Sequence, residues 1–251
     1  MNDDQLRRIE SEREFHNARF TEEVREAQGK YYASIKHGSL MFDRRVAELA
    51  KGADVLEYGC GSALQGIELA RTARTMTGID ISDVAIADAR ALADTQGVHN
   101  THYQTMNAED MTFSPNSFDL VFGRGIIHHL DLERCFASVH RVLKPGGRAV
   151  FWEPLGHNPV LNRYRSATPD ARTPDEHPLL RSDFRLAERY FDVDTPRFYG
   201  LTTIASVPIR DTVVGDALLK VTAAFDSLLF LSPIKWLAWY VRLELRKPAT
   251  H

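Results

Sequence analysis

The stretch from Asp54 to Asp80, DVLEYGCGSALQGIELARTARTMTGID, constrains this chain more than any other. It reads as strand, glycine turn, helix and second strand, with an acid at the second strand's end. Val55, Leu56 and Tyr58 belong to a short apolar run of buried-strand type. Gly59 and Gly61 let the backbone turn sharply and leave no side chain in a ligand's way. Ala63 to Ala73 follows at helical spacing, Met76–Ile79 forms the second strand, and Asp80 stands about 20 residues past the glycines. At that distance a carboxylate accepts hydrogen bonds from ribose hydroxyls. The unit therefore predicts a nucleoside-binding βαβ crossover in an α/β fold. Two ligands compete for it. A dinucleotide site wants G-x-G-x-x-G, but the sixth position counted from Gly59 is Leu64, so that fingerprint is incomplete.

Glu57-Tyr58-Gly59-Cys60-Gly61-Ser62-Ala63 resembles the E/D-x-G-x-G-x-G motif before the first helix of class I S-adenosylmethionine (SAM) dependent methyltransferases. The departure is Ala63, where that family usually has a third glycine. Later segments match in order. Asn107-Ala108-Glu109-Asp110-Met111 followed by Phe113-Ser114-Pro115-Asn116-Ser117-Phe118-Asp119 resembles the family's D-A-x-x-L-P-F-x-x-x-S-F-D, with Asn in place of Asp and slightly different spacing. Phe118–Gly123 leads into Ile126-Ile127-His128-His129-Leu130, similar to the family's hydrophobic-His-His-Leu segment. Lys144-Pro145-Gly146-Gly147 resembles its L-K-P-G-G turn before a fifth strand, Arg148–Glu153. The chain is similar to the small-molecule members, including the quinone-biosynthesis methyltransferases. The D/N-P-P-aromatic tetrad of enzymes that methylate nucleic-acid bases is absent.

The resemblance implies a Rossmann-like, doubly wound seven-stranded sheet whose last strand is antiparallel, with SAM as cofactor. Glu57 would hold the methionine end, and Gly59, Cys60 and Gly61 would give its backbone room. Asp80 and Ile81 would lie at the ribose, Asn107, Ala108 and Glu109 at the adenine, and Gly123 and Arg124 would touch the cofactor after the fourth strand. The sulfonium makes the methyl carbon electrophilic, so the protein must align a nucleophile and, where needed, remove its proton. His128, His129 and His157 are candidate bases and Glu153 a candidate orienting acid. Each is equally readable as a packed or hydrogen-bonded structural residue.

The remaining chain surrounds this unit. Of 251 residues, 43% are hydrophobic and 26% charged, with a net charge of −3, which suits one α/β domain with elaborations. No basic excess argues for a nucleic-acid partner. Cys60 and Cys135 provide neither a disulfide framework nor zinc spacing. The charged start MNDDQLRRIESERE is no signal peptide and no apolar run reaches spanning length, so the expectation is cytoplasmic. Residues 1–50 read as a helical cap with a break near Lys36–Ser39. In it Phe20, Val24, Ala27 and Tyr31 fall at helical spacing. The segment REFHNARF resembles a helix that folds over the cofactor, and Tyr32 could close the site on the acceptor. An amphipathic helix on the sheet edge is the plainer reading.

Residues 51–251 would be the methyltransferase domain, with substrate-binding insertions near 155–182 and 211–232. The first is dense in Pro, His, Arg and acids, and long loops after a strand's carboxyl end line the ligand crevice. Arg163 and Arg172 there, and His129 after the fourth strand, are candidate acceptor contacts, with Tyr32. Asp175, Glu176 and His177 are adjacent residues that rarely converge on one ion, so no metal is expected. Ser182 would cap a helix over Asp183–Tyr190, and Phe191–Phe198 would be the sixth strand. Asp211–Phe230 is helical and very apolar, suited to core, lid or homodimer contact; its polar side is not rich in Lys and Arg, which disfavours a membrane surface. Val241–Arg246 alternates strictly, as a last strand with one buried face does. The acceptor expected is a small, hydrophobic molecule: polyketide, quinone, isoprenoid or lipid precursor. A nicotinamide-dependent oxidoreductase and a non-catalytic SAM-binding subunit remain the alternatives.

Overall fold

The computed structural model describes residues 33–167, 176–209 and 212–249, together with Glu10 and Arg13. Its elements run α1 (Lys36–Ala50), β1 (Asp54–Tyr58), α2 (Leu64–Ala70), β2 (Thr75–Asp80), α3 (Asp83–Thr95), β3 (Thr101–Thr105), β4 (Phe118–Arg124), α4 (Leu132–Val142), β5 (Leu143–Pro154), α5 (Pro159–Ser166), α6 (Arg181–Ala187), β6 (Asp192–Val193), β7 (Arg197–Tyr199), α7 (Val213–Leu229) and β8 (Tyr240–Arg246).

Side-chain alternation on the central strands builds two cores. Val55, Leu120, Phe122, Val150 and Trp152 face the layer that contains Phe42 and Val46 of α1, Ile67 of α2 and Ile86 of α3. Leu56, Tyr58, Val121, Ala149 and Phe151 face Phe136 and Val139 of α4 and Phe184 of α6. Both faces of each strand are thus apolar, which a period-two strand needs when helices cover both sides of a parallel sheet. The sheet order is β3-β2-β1-β4-β5-β8-β6, with β7 also on β8. β3 through β5 are parallel. β8 runs antiparallel to β5, β6 and β7. The strand order reverses between β1 and β4, and the crevice outside their carboxyl ends is where ligands bind in such sheets.

The amino edge is occupied by ion pairs instead. Lys144 Nζ lies 2.7 Å from Asp54 Oδ2 and 2.8 Å from Asp119 Oδ2, and Arg74 joins the same two acids. Arg74, with help from Lys144 and Thr75, holds the Asp54 carboxyl well below the usual carboxylate range against the effect of burial.

Three local expectations are corrected. Phe191–Phe198 is not one strand but two fragments, giving eight strands in seven positions. Register along β8 slips by one residue between Val193↔Leu245 and Arg197↔Arg242, so the stretch ahead of β7 carries one extra residue. Pro196 lies there and has no N–H for a ladder bond. Ser182 does not cap α6; the helix starts at Arg181, after Leu180, whose N–H donates to Asp183 Oδ2 at 2.7 Å. The break near Lys36–Ser39 is also absent, because these residues form the first turn of α1. Gly38 is there for packing, not for a turn. A Cβ on it would stand 2.5 Å from Trp152 Cη2 and from Tyr199 Cγ. The bare backbone lets α1 lie directly on the aromatic floor of β5 and β7.

α1 is therefore one of the sheet's own covering helices. It is anchored further by Arg45, which donates to both oxygens of buried Glu244 on β8 at 3.0 and 2.6 Å. The cap features expected before it, REFHNARF and the run Phe20 to Tyr32, lie outside the described residues. α7 is not core: only Gly215 and Asp226 are buried on it. It is held by Asp226, whose carboxylate accepts the N–H groups of Leu201 and Thr202 at 2.9 and 2.8 Å. Among the described residues no helix is long and apolar enough to cross a membrane.

Gly38→Ala tests the close approach. Intrinsic helix propensity favours alanine by about 1 kcal/mol. Overpacking against buried rings costs about 1–3 kcal/mol. The expected net result is a loss of stability and a Tm lower by a few degrees, read by thermal melting; a stabilised variant would show that the rings yield.

Candidate functional site

The turn after β1 is tied to the end of β2. The N–H groups of Gly59 and Cys60 both donate to the Ile79 carbonyl at 2.9 Å. The Gly61 N–H donates to Asp80 Oδ2 at 2.8 Å, and Asp80 Oδ1 accepts the Ser82 N–H at 2.9 Å. Gly59 and Gly61 have φ of +72° and +51°, and Ala63 follows them into the left-handed region at +56°. A side chain there costs about 1 kcal/mol; the Ala63 methyl is buried in the α1–α3 core. The turn that the family builds on three glycines thus forms here on two. A pyrophosphate on such a turn is gripped by free backbone N–H groups. Three consecutive ones are already consumed here, so the loop presents a bare surface flanked by carboxylates.

Glu57, at the end of β1, is the second part. Its side chain is buried, and among the described residues Oε2 has no hydrogen-bond partner. Burial pushes its pKa up to about 8, and the neighbouring negative charge of Asp80 adds to the shift. The Gly66 backbone and the Arg124 guanidinium act the other way and are outweighed. Gly66, in α2, has no side chain because a Cβ would run into Glu57 Oε2. A buried carboxylate oxygen without a donor is costly, and a cationic ligand group would satisfy it and restore its charge. The Cys60 thiol is buried beside it, and burial raises its pKa, so it is a neutral wall.

The other expected cofactor residues are placed as follows. Ile81 follows Asp80 and is half-buried. Asn107 turns its side-chain carbonyl to the Glu109 N–H at 2.9 Å, capping the short 3-10 turn Ala108–Asp110. Tyr58 Oη donates to the Ala108 carbonyl at 2.7 Å and fixes that turn to β1. Glu109 points to the start of α4, where Oε1 accepts the Asp131 N–H at 2.9 Å. Gly123 lies under Ile126: a Cβ on it would stand 2.7 Å from Ile126 Cγ2 and 2.8 Å from the Tyr58 carbonyl. Arg124 reaches α1, donating to Ser39 Oγ at 2.8 Å and to Asp43, with its guanidinium 4.7 Å from the Phe42 ring centre.

A buried acid organises the segment after β4. Glu153, at the end of β5, has no exposed surface. Its Oε1 accepts the N–H groups of Ile126 and Ile127 at 3.0 and 3.1 Å, and its Oε2 lies 2.6 Å from His128 Nδ1. His128 Nε2 and His129 Nε2 are each 3.8 Å from Glu176 Oε1. Burial alone would lower the His128 pKa, but hydrogen bonds and charge from Glu153 and Glu176 raise it to about 9. His128 is then an imidazolium at neutral pH, which is the wrong state for a general base.

His157 is drawn elsewhere. Its Nε2 accepts the Arg181 N–H at 2.9 Å and its ring meets Trp236 edge-on at 5.7 Å. Arg163 lies on the exposed side of α5. Tyr32, Arg172 and Asp175 lie outside the described residues. Sequence reading missed Ile126, which seals Gly59 and Gly123, and missed the pairing of Glu176 with two histidines nearly fifty positions earlier. No local pattern carries that pairing. Its nearest signal is the bridge between Leu155 and Leu179 that returns the insertion to the end of β5.

The family described as "Methyltransferase domain" matches residues 56–151, the segment that holds the turn, Asp80, Asn107 and the two histidines. Over that segment the chain is similar to the class I methyltransferases. It is 33% identical over 110 residues to the ubiquinone biosynthesis O-methyltransferase of Pseudomonas syringae pv. tomato, a match covering 43% of this chain and 47% of that protein. The chain thus spans about half the length of the curated relatives it matches. Among solved structures it is similar to the SAM complex of phosphoethanolamine N-methyltransferase 2 from Haemonchus contortus, with a TM-score of 0.63, 18% identity, and coverage of 87% of this chain and 56% of that one. It is also similar to the [4+2]-cyclase SpnF, with a TM-score of 0.59, 20% identity, and coverage of 84% and 81%. These likenesses place the methyltransferase fold.

Glu57 sets a pH signature. Its folded-state pKa of about 8 stands above the ordinary 4.5, so the fold holds a proton that the unfolded chain releases first. Wild-type stability therefore falls as pH rises through that interval. Glu57→Gln, which cannot titrate, should gain on wild type from about pH 4.5 and level off above about pH 8. Paired thermal melts across pH check this; a difference that does not vary with pH would mean that Glu57 is ionised in the ligand-free fold.

Proposed function

We propose that this protein transfers a methyl group from SAM to a small, hydrophobic, hydroxyl-bearing acceptor. The observation that carries the reading is the unpartnered, buried Glu57 Oε2 beside a glycine turn whose N–H groups are already used. That environment suits an ammonium and a sulfonium nucleoside better than a pyrophosphate. Glu57 would hold the methionine ammonium, and Gly59 and Gly61 would admit its chain. Asp80 keeps spare lone pairs for the ribose hydroxyls while holding Gly61 and Ser82. Tyr58 and Asn107 hold the turn at Ala108 for the adenine.

Bound SAM supplies an electrophilic methyl carbon, so alignment is the main demand on the protein. Glu153 is a positioning residue: it fixes Ile126, Ile127 and His128 at the carboxyl edge. Ile126 excludes water from the bend between Gly59 and Gly123. An oxygen acceptor is supported by the O-methyltransferase relatives, and a hydrophobic one by the exposed apolar side chains of α7, among them Val221, Phe225 and Leu228. The site lies where the sheet order reverses, and a cytoplasmic location remains part of the proposal.

Calorimetry tests the cofactor half. SAM should bind with one site per chain, and Asp80→Asn should weaken it about 10–100-fold by loss of charge-assisted hydrogen bonds, since each tenfold is 1.4 kcal/mol. NADH binding more tightly than SAM would sink the reading. Incubation with methyl-labelled SAM and a panel of phenols, catechols and quinols tests the rest. Label should pass to an acceptor oxygen with stoichiometric S-adenosylhomocysteine. SAM binding without turnover on any acceptor would point to a non-catalytic subunit.

A further inference from the structure

A second feature of the carboxyl edge goes beyond cofactor binding. One ring nitrogen each of His128 and His129 and one carboxylate oxygen of Glu176 all lie within 4.8 Å of one another. Both histidines are buried, with 7% and 5% exposure, and the Glu176 side chain is 13% exposed. Their rings sit 4.2 Å apart at 40°, so the short 3-10 turn Ile127–His129 sends two adjacent imidazoles the same way. Adjacent positions on an extended strand cannot do this; from the sequence only Asp175, Glu176 and His177 suggest a metal, and none is expected there.

We propose that His128, His129 and Glu176 bind a divalent first-row transition ion of the zinc class, with at least one coordination position left for the acceptor's oxygen. Two imidazole nitrogens and one carboxylate oxygen are the ligand set of open catalytic sites for such ions. Donors about 2.1 Å from a tetrahedral ion stand about 3.4 Å apart. The observed 3.8 Å from each ring nitrogen to Glu176 closes to that by small side-chain shifts.

The shell behind the ligands matches as well. His128 presents Nδ1 to buried Glu153 at 2.6 Å, which directs Nε2 toward the centre of the cluster. Glu153 is itself held by two backbone N–H groups. A carboxylate behind a histidine in this way fixes the ring's tautomer and raises its basicity toward a metal. The His128 carbonyl accepts the His177 N–H at 2.7 Å, so the chain that delivers Glu176 is tied directly to the histidine turn.

The centre adjoins the cofactor bend. Ile126, two residues before His128, stands 2.9 Å from where a Gly59 Cβ would be. An ion there would orient an acceptor hydroxyl toward the bend and lower its pKa. That role for the open position rests on the methyl-transfer reading; the binding of the ion does not.

The test uses the full chain with any polyhistidine tag removed and metal stripped by chelator. It is titrated with Co2+, then Zn2+, against a chromophoric chelator. The expected result is one ion per chain, with visible d–d bands of a low-symmetry Co2+ site that bleach on adding Zn2+. Glu176→Gln and His129→Ala should each weaken binding at least tenfold, and Glu153→Gln about 10–100-fold with all three ligands kept. Metal-free melting curves establish that each variant is folded, and Glu176→Gln keeps the assay decisive if a histidine variant is not. Wild type that takes up no ion at micromolar concentration, or that binds it no better than Glu176→Gln does, would overturn the proposal and leave an imidazolium between two glutamates. SAM calorimetry on the metal-free chain keeps failure here distinct from failure of the cofactor reading.

Discussion

One buried carboxylate holds the carboxyl edge of this sheet together. Glu153 sits at the end of β5 with no exposed surface and spends both oxygens, one on the Ile126 and Ile127 N–H groups and one on His128. A charge in that position is tolerated only because its acceptor sites are filled. The segment after β4 is in turn held against the end of β5, and Ile126 is pressed into the space left open by Gly59 and Gly123. Without that grip the three turns that form the crevice would have no common reference.

The glycine bend and Asp80 form a second, interlocking unit. Asp80 is at once a ligand-facing acid and the clamp that holds Gly61 to the end of β2. A carboxylate offers about four lone-pair directions, so these tasks are compatible. The arrangement also explains a tolerance. Ala63 accepts a left-handed backbone because the bend is fixed by its neighbours' hydrogen bonds and its methyl is buried. Strain of about 1 kcal/mol is small beside what the surrounding contacts supply.

Charge is distributed unequally between the two edges of the sheet. At the amino edge Asp54, Asp119, Lys144 and Arg74 satisfy each other and leave little for a ligand. At the carboxyl edge Glu57 retains an oxygen with no donor among the described residues, and Glu176 lies beside two histidines. The polarity of a parallel sheet puts loop-borne groups at that end, and these groups are at the same end.

Sequence by itself determined the doubly wound sheet, the turn at Gly59–Ala63 and the acid at Asp80. Each is encoded in neighbouring residues: apolar runs, left-handed backbone positions and a spacing within one βαβ unit. The caps at Ser82 and Asp131 are local in the same way, since each side chain meets N–H groups two or three residues away. Only the tertiary structure decided what depends on distant partners. Gly38 reads as a helix breaker until Trp152 and Tyr199 are seen lying against it. His157 and His128 read alike, yet one is bound to the Arg181 N–H and the other to Glu153. Glu176 gains its meaning from His128 and His129, which the folded insertion brings beside it. Such pairings are set by how loops close over the sheet, and nothing in a local window of residues records that closure.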